Sequence, residues 1–221
     1  MELHTETLAT FPLRTFKRGL YHVGTMDRSL KHNGSHEGSG LSVSTVPDAW
    51  ERINSFTSGT WWKLTRPGNQ FLDFHRMTRK HRKAIAEWGI CNGFVRAVTL
   101  YRHRWFDDEL DEERFSDYLT REEAQTEAGF TEESEDSSPI RGVPGLVATE
   151  KLCRRIGEEK IALGLDFDLL TAVFAEDELK IDGVWWQDKL DVYAYSAPRG
   201  VIFDLRLPEW KREISKFQIG E

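Results

Sequence analysis

The sequence predicts an α+β protein, with strand-rich ends around a helical, acidic middle. Three observations predict it. Short runs of β-branched and aromatic residues fill positions 18–75, a basic helix-forming stretch opens the middle at 77–90, and apolar runs bounded by turn residues return after 168. With 221 residues, the expected organisation is a single domain over 1–221 with a helical insertion or subregion over 77–165.

Residues 1–17 are polar with scattered apolar positions and predict an arm or an edge strand. RGLYHVGT (18–25) predicts a short strand ended by a turn, and LSVST (41–45) alternates as a half-buried strand should. Between them, residues 26–40 mix glycine, serine, histidine and charge and predict a loop. Leu20–Thr25 and Leu41–Thr45 are therefore expected to frame a pocket beneath that loop. Pro47 opens PDAWERI, a helix start with Asp48 and Glu51 near its positive end. Two further strands, Thr60–Thr65 and Gln70–His75, flank the turn Arg66-Pro67-Gly68-Asn69.

In the middle, 77–90 predicts a basic helix, while NGFVRAVTLYRHRWF (92–106) fits strand and helix alike. The acidic stretch 107–139 predicts a helix followed by a loop, and 145–165 predicts a helix with Leu146, Leu152 and Ile156 on one face. The last third returns to β signals. After the apolar run 168–174 and a turn region at 176–183, Val184–Trp186, Leu190–Tyr195 and Gly200–Leu207 predict strands, and Pro208 starts a terminal helix or tail.

Composition narrows the function classes. The net charge of −7 argues against nonspecific nucleic-acid binding, which needs a basic surface to meet phosphates. Eight Trp and thirteen Phe point to aromatic-rich packing or an aromatic-lined cleft. Cys91 and Cys153 form no Cys-x-x-Cys pair and read as free buried thiols of a reducing compartment. No basic segment precedes a long apolar run at the start, and no stretch approaches the ~20 apolar residues of a membrane span. A cytoplasmic protein with no membrane partner is expected.

The chemistry-bearing residues are sparse. His22, His32, His36 and His75 lack the paired spacing of a zinc motif. No Gly-x-Ser-x-Gly elbow is present, and GSHEGSG lacks the Lys-Ser/Thr of a phosphate-binding P-loop. Three segments stand out instead: Leu20-Tyr21-His22-Val23-Gly24-Thr25; Gly40-Leu41-Ser42-Val43-Ser44-Thr45, running towards the helix start at Pro47; and the late acidic segment Trp185 to Tyr193, with Asp188 and Asp191.

Together these segments resemble the ADP-ribosyltransferase family, in its diphtheria-toxin and poly-ADP-ribose-polymerase branch. That branch has an aromatic-His-Gly-Ser/Thr strand, a Gly-apolar-Tyr-Ser/Phe strand running into a helix, and a late acidic strand position. The resemblance implies a split β-sheet core and NAD as substrate. It implies that Tyr21, His22, Gly24, Thr25, Ser42 and Ser44 bind NAD, with His22 on the adenosine ribose and the backbone near Gly24 on the nicotinamide amide. Breaking the glycosidic bond leaves an oxocarbenium-like ribose, so a carboxylate, Asp188 or Asp191, would act as the catalytic group. Three departures from the family pattern are plain: Val23 separates His22 from Gly24, Ser42 or Val43 stands where the family has tyrosine, and Asp188 stands nearest to where it has glutamate.

The implied function is an NAD-consuming transferase, of the kind that serves as a bacterial or phage toxin or effector, modifying a macromolecular acceptor that is protein or nucleic acid. The acidic 107–139 segment would then face a target, an antitoxin or another inhibitor protein. Three alternatives stand beside it: a non-enzymatic interaction module on the same fold, an RES-type NAD glycohydrolase, and a nucleic-acid binder using the basic cluster at 79–83.

Overall fold

The computed structural model describes residues 10–27, 40–46, 60–107, 111–131, 138–186 and 197–215. The fold is α+β, as expected, and the chain comprises two compact units, 1–88 with 169–221, and 89–168.

In the first unit, eight described strands form one sheet in the order β1-β5-β9-β10-β3-β2-β4-β11. These are β1 Leu13–Arg14, β2 Leu20–Val23, β3 Gly40–Ser44, β4 Trp61–Thr65, β5 Phe71–Asp73, β9 Gly183–Trp186, β10 Arg199–Phe203 and β11 Lys211–Ile214. Neighbours are antiparallel except β5 and β9, which run parallel. Alternation along these strands sends Leu20, Leu41, Val43, Leu64, Trp185 and Ile202 into one core with Phe71 and Trp210. Val23 and Trp61 pack with Ala197 in a second cluster. Each Trp doublet places a ring on each face of its strand, as the pleat requires. Trp185 meets Phe16 and Phe71 at 4.4 and 6.4 Å, while Trp186 stacks on Phe74 at 4.8 Å.

Backbones come very close at the middle of this sheet. A Cβ on Gly183 would lie 1.8 Å from the Val201 carbonyl oxygen, and one on Gly200 would lie 2.4 Å from the Trp185 ring. At the start of the parallel pair, Asp182, only 1% exposed, holds three segments together. Its Oδ2 accepts from the Gln70 N–H at 2.8 Å, its Oδ1 accepts from Arg66, and its carbonyl accepts from the Phe203 N–H at 2.9 Å.

Helix α1, Arg79–Cys91, confirms the predicted basic helix; Ile85 and Trp88 are its buried anchors, while Arg79, Lys80, Arg82 and Lys83 are exposed. The apolar run near 168–174 is helical, within α4 Asp166–Phe174, and continues into a π-helical turn Ala175–Leu179. Leu169, Leu170, Ala172, Val173 and Phe174 are all buried, and a short run apolar all round carries no period that separates a helix from a buried strand. Pro208 lies in a 3₁₀ turn, Leu207–Glu209, after which the chain forms β11 rather than a helix.

The second unit corrects the expectation of a helical insertion. It is built on an antiparallel sheet, β7-β6-β8, of β6 Val95–Asp107, β7 Glu112–Tyr118 and β8 Ser138–Ala148. The acidic strand β7 is stable as a strand because cations on β6 face it. Arg102 grips Asp117, directly opposite in register, through two hydrogen bonds of 2.7 Å, and Arg104 reaches Glu113 at 3.5 Å. The acidic run then forms α2, Arg121–Thr131. The expected long helix over 145–165 is shorter: β8 continues to Ala148, and α3, Glu150–Ile156, ends where Gly157 turns left-handed at φ 78°. Cys91 is exposed rather than buried, Cys153 is half-buried, and both are free thiols. Among the described residues, no helix is long and apolar enough to cross a membrane.

Candidate functional site

The two early motifs lie on adjacent strands. β2 and β3 pair antiparallel with Tyr21 opposite Ser44; Ser44 lies opposite Arg199 on β10, and Arg199 opposite Trp186 on β9. One row thus crosses four strands. Asp188 and Asp191 follow Trp186 in the connection to β10 and lie outside the described residues, as do the predicted strand Leu190–Tyr195, the helix start at Pro47 and the loop residues 28–39.

The pleat divides the predicted binding residues between two faces. Directly opposite residues share a face, so Tyr21 and Ser44 lie together, with Ser42 two positions along. His22 and Gly24 take the opposite face, that of Leu20, Leu41 and Val43. On the first face, Ser44 is fully buried, and its hydroxyl donates to the Pro198 carbonyl at 2.5 Å and accepts from the Val46 N–H at 3.0 Å. It ties the end of β3 to the start of β10 instead of facing a ligand. The Ser42 hydroxyl is buried and has no hydrogen-bond partner among the described residues.

On the second face, the half-buried His22 ring bridges two carbonyls. Nδ1 lies 2.8 Å from the Ser42 oxygen on β3, and Nε2 lies 3.0 Å from the Thr25 oxygen. A carbonyl only accepts, so a neutral imidazole satisfies one of the two at a time, while the imidazolium satisfies both. Gly24 follows with φ 118°, a backbone conformation that L side chains rarely adopt, and this turns the chain out of β2. Its N–H donates to the Thr60 carbonyl at 3.0 Å, and its carbonyl accepts from the Trp62 indole at 3.0 Å. Thr25 is exposed, and its hydroxyl accepts from the Asp27 N–H at 3.0 Å.

The structure therefore gathers His22, Gly24, Thr25 and Trp62 at one place, the end of β2, and sets Tyr21, Ser42 and Ser44 on the other side of the sheet. Trp62 is the member of this group that sequence reasoning missed as a site residue. Its signal was the WW doublet, in which alternation requires the two rings to part. No protein-family model, curated protein or solved structure matches the chain.

Proposed function

We propose that the chain is an NAD-consuming protein of the ADP-ribosyltransferase type, a transferase or an NAD glycohydrolase, built on a divergent form of that family's sheet. The observation that carries the reading is the junction of the two early motifs. The His22 ring is fixed on β3 through the Ser42 carbonyl, beside a glycine turn and the Trp62 indole. In this reading the exposed bond from Nε2 to the Thr25 carbonyl exchanges for a ribose hydroxyl, Trp62 forms an aromatic wall for the nicotinamide, and Gly24 lets the ligand approach the backbone. Asp188 or Asp191 supplies the carboxylate that stabilises the developing ribose cation. Tyr21, Ser42 and Ser44 support the site from the far side of the sheet.

A second reading has its own observation. His22 and both backbone groups of Gly24 already have partners inside the chain, as expected of an interaction module that keeps the architecture without the reaction. Thermal unfolding with and without millimolar NAD, followed by an assay for released nicotinamide, separates the two. Stabilisation by NAD that is lost in His22→Ala, with nicotinamide release lost in Asp188→Ala, supports the enzyme. Release that survives Asp188→Ala transfers the catalytic role to Asp191. Absence of any NAD effect on unfolding sinks the first reading.

A further inference from the structure

The second unit contains a cavity of about 740 Å³, bounded by the end of β8, by α3 and by the segment leading into α4. Its size falls within the range of sites that enclose small organic molecules. Tyr118, Leu119, Val147, Ile161 and Leu163 make much of the wall apolar.

One polar group in that wall lacks a counterpart. Asp166 is 3% exposed, and its Oδ1 accepts from the Ala148 N–H at 2.6 Å. Its Oδ2 is also buried, and no described residue donates to it. Burial pushes this carboxyl up to about 6, opposed by the N–H groups of Ala148 and of Asp166 itself; no side-chain cation contributes. Near neutral pH the carboxylate is mostly ionised, with half its accepting capacity unused in an apolar setting. Such a group is costly unless a donor reaches it.

The surrounding charges indicate which donor fits. Glu123 comes from α2, Glu150 from α3, and Glu159 from the segment after it; Arg96 of β6 and Lys160 oppose them. Asp117 of β7 also lines the cavity but is already held by Arg102. Carboxylates outnumber cations, so an anion would be repelled and would bury its charge beside Asp166. A metal ion would need several oxygen ligands converging on one point, and among the described residues no group of three such side chains converges. An ammonium brings N–H donors and positive charge together.

We propose that this cavity binds a small organic cation, an amine drawn to the Asp166 carboxylate, whose Oδ2 takes up the ammonium once the side chain turns towards it, while the amine's apolar body lies against Val147, Ile161 and Leu163. This inference does not depend on the NAD reading. The test uses the full chain and 2-phenylethylamine as probe, with 2-phenylethanol and 3-phenylpropionate as neutral and anionic controls, followed by calorimetry and thermal unfolding. The amine should bind saturably and raise the unfolding temperature, the alcohol should bind at least about tenfold more weakly, and the carboxylate should not bind, since a charge-assisted hydrogen bond is worth about a decade of affinity or more. Asp166→Asn should bring the amine's affinity down to that of the alcohol. Leu163→Trp, which sets an indole where the amine's apolar body would lie, should weaken binding of both. Amine affinity should also fall as the pH drops through about 6 and Asp166 takes up its proton. Equal binding of amine and alcohol, undiminished amine binding in Asp166→Asn or Leu163→Trp, or no amine binding at all would overturn the proposal.

Discussion

At Asp166 a single proton affects both stability and binding. The carboxyl titrates near 3.8 in the unfolded chain and at about 6 when folded. Between those values this group holds more proton in the folded than in the unfolded state, so its contribution to stability falls as the pH rises through that window. At neutral pH the ionised group costs about 3 kcal/mol. Asp166→Asn removes the charge while its amide oxygen still accepts the Ala148 N–H. The variant is expected to be more stable than the parent near neutral pH by up to about 3 kcal/mol, and this gap should close as the pH falls through the window. Urea unfolding at the two ends of the window checks this; a variant less stable than the parent at neutral pH would refute the burial cost. A different kind of residue-scale constraint operates at Gly183, where a methyl group would meet a carbonyl oxygen at 1.8 Å. Gly183→Ala is expected to lose about 3 kcal/mol, read from its urea midpoint, because the oxygen belongs to a paired central strand with little room to yield.

Among elements, the parallel pair β5 and β9 depends on the Asp182 junction. Asp182→Ala leaves the Gln70 N–H unpaired and Arg66 without its buried partner, and is expected to cost about 3–5 kcal/mol. Arg66→Ala should cost less than that, because the guanidinium is 26% exposed and also meets Glu209, itself 42% exposed. Equal losses from the two variants would show that the ion pair, rather than the bond from the Gln70 N–H to the Asp182 carboxylate, holds the junction. In the second unit, Arg102 and Asp117 are 26% and 19% exposed and meet through two parallel bonds. A double-mutant cycle on this pair is expected to give a coupling of about 1 kcal/mol, at the upper end for pairs near the surface.

For the whole molecule, strand position sets the order of opening. β3, β9 and β10 are interior to the large sheet, while β1 and β11 are the outermost of its described strands. Amide hydrogen exchange is expected to be slowest in β3, β9 and β10 and fastest in β1 and β11, with β6 slower than β7 in the small sheet. Mass-spectrometric exchange checks this, and protection of β11 equal to that of β10 would contradict it. The same geometry explains how much the sequence revealed. β2, β3, β4 and β9 were legible because one face of each is buried and alternation or a bounded apolar run survives. The second unit was misread because Glu113 and Asp117 have poor strand propensity by themselves, and meet their arginine partners only on a neighbouring strand. α4 was hidden because burial on every side erases the helical period. At the candidate site, His22, Gly24 and Thr25 were legible as a motif. Their separation from Tyr21, Ser42 and Ser44 was not, because it depends on which residue of β2 stands opposite which residue of β3. Asp166 gave no sign, since an acid in the first turn of a helix is ordinary and only the folded cavity leaves one of its oxygens without a donor.

Gly183 and Gly200 carry a consequence for ancestry. Where a side chain is forbidden by a carbonyl on one strand and by an indole on the next, drift at those two positions is confined to the smallest residue, whatever happens to the surface or to the chemistry. Two glycines seventeen residues apart, the first followed two places later by a bulky aromatic that covers the second, form a signature set by packing alone. Remote kin of this chain, diverged beyond overall sequence similarity, should still carry that pair.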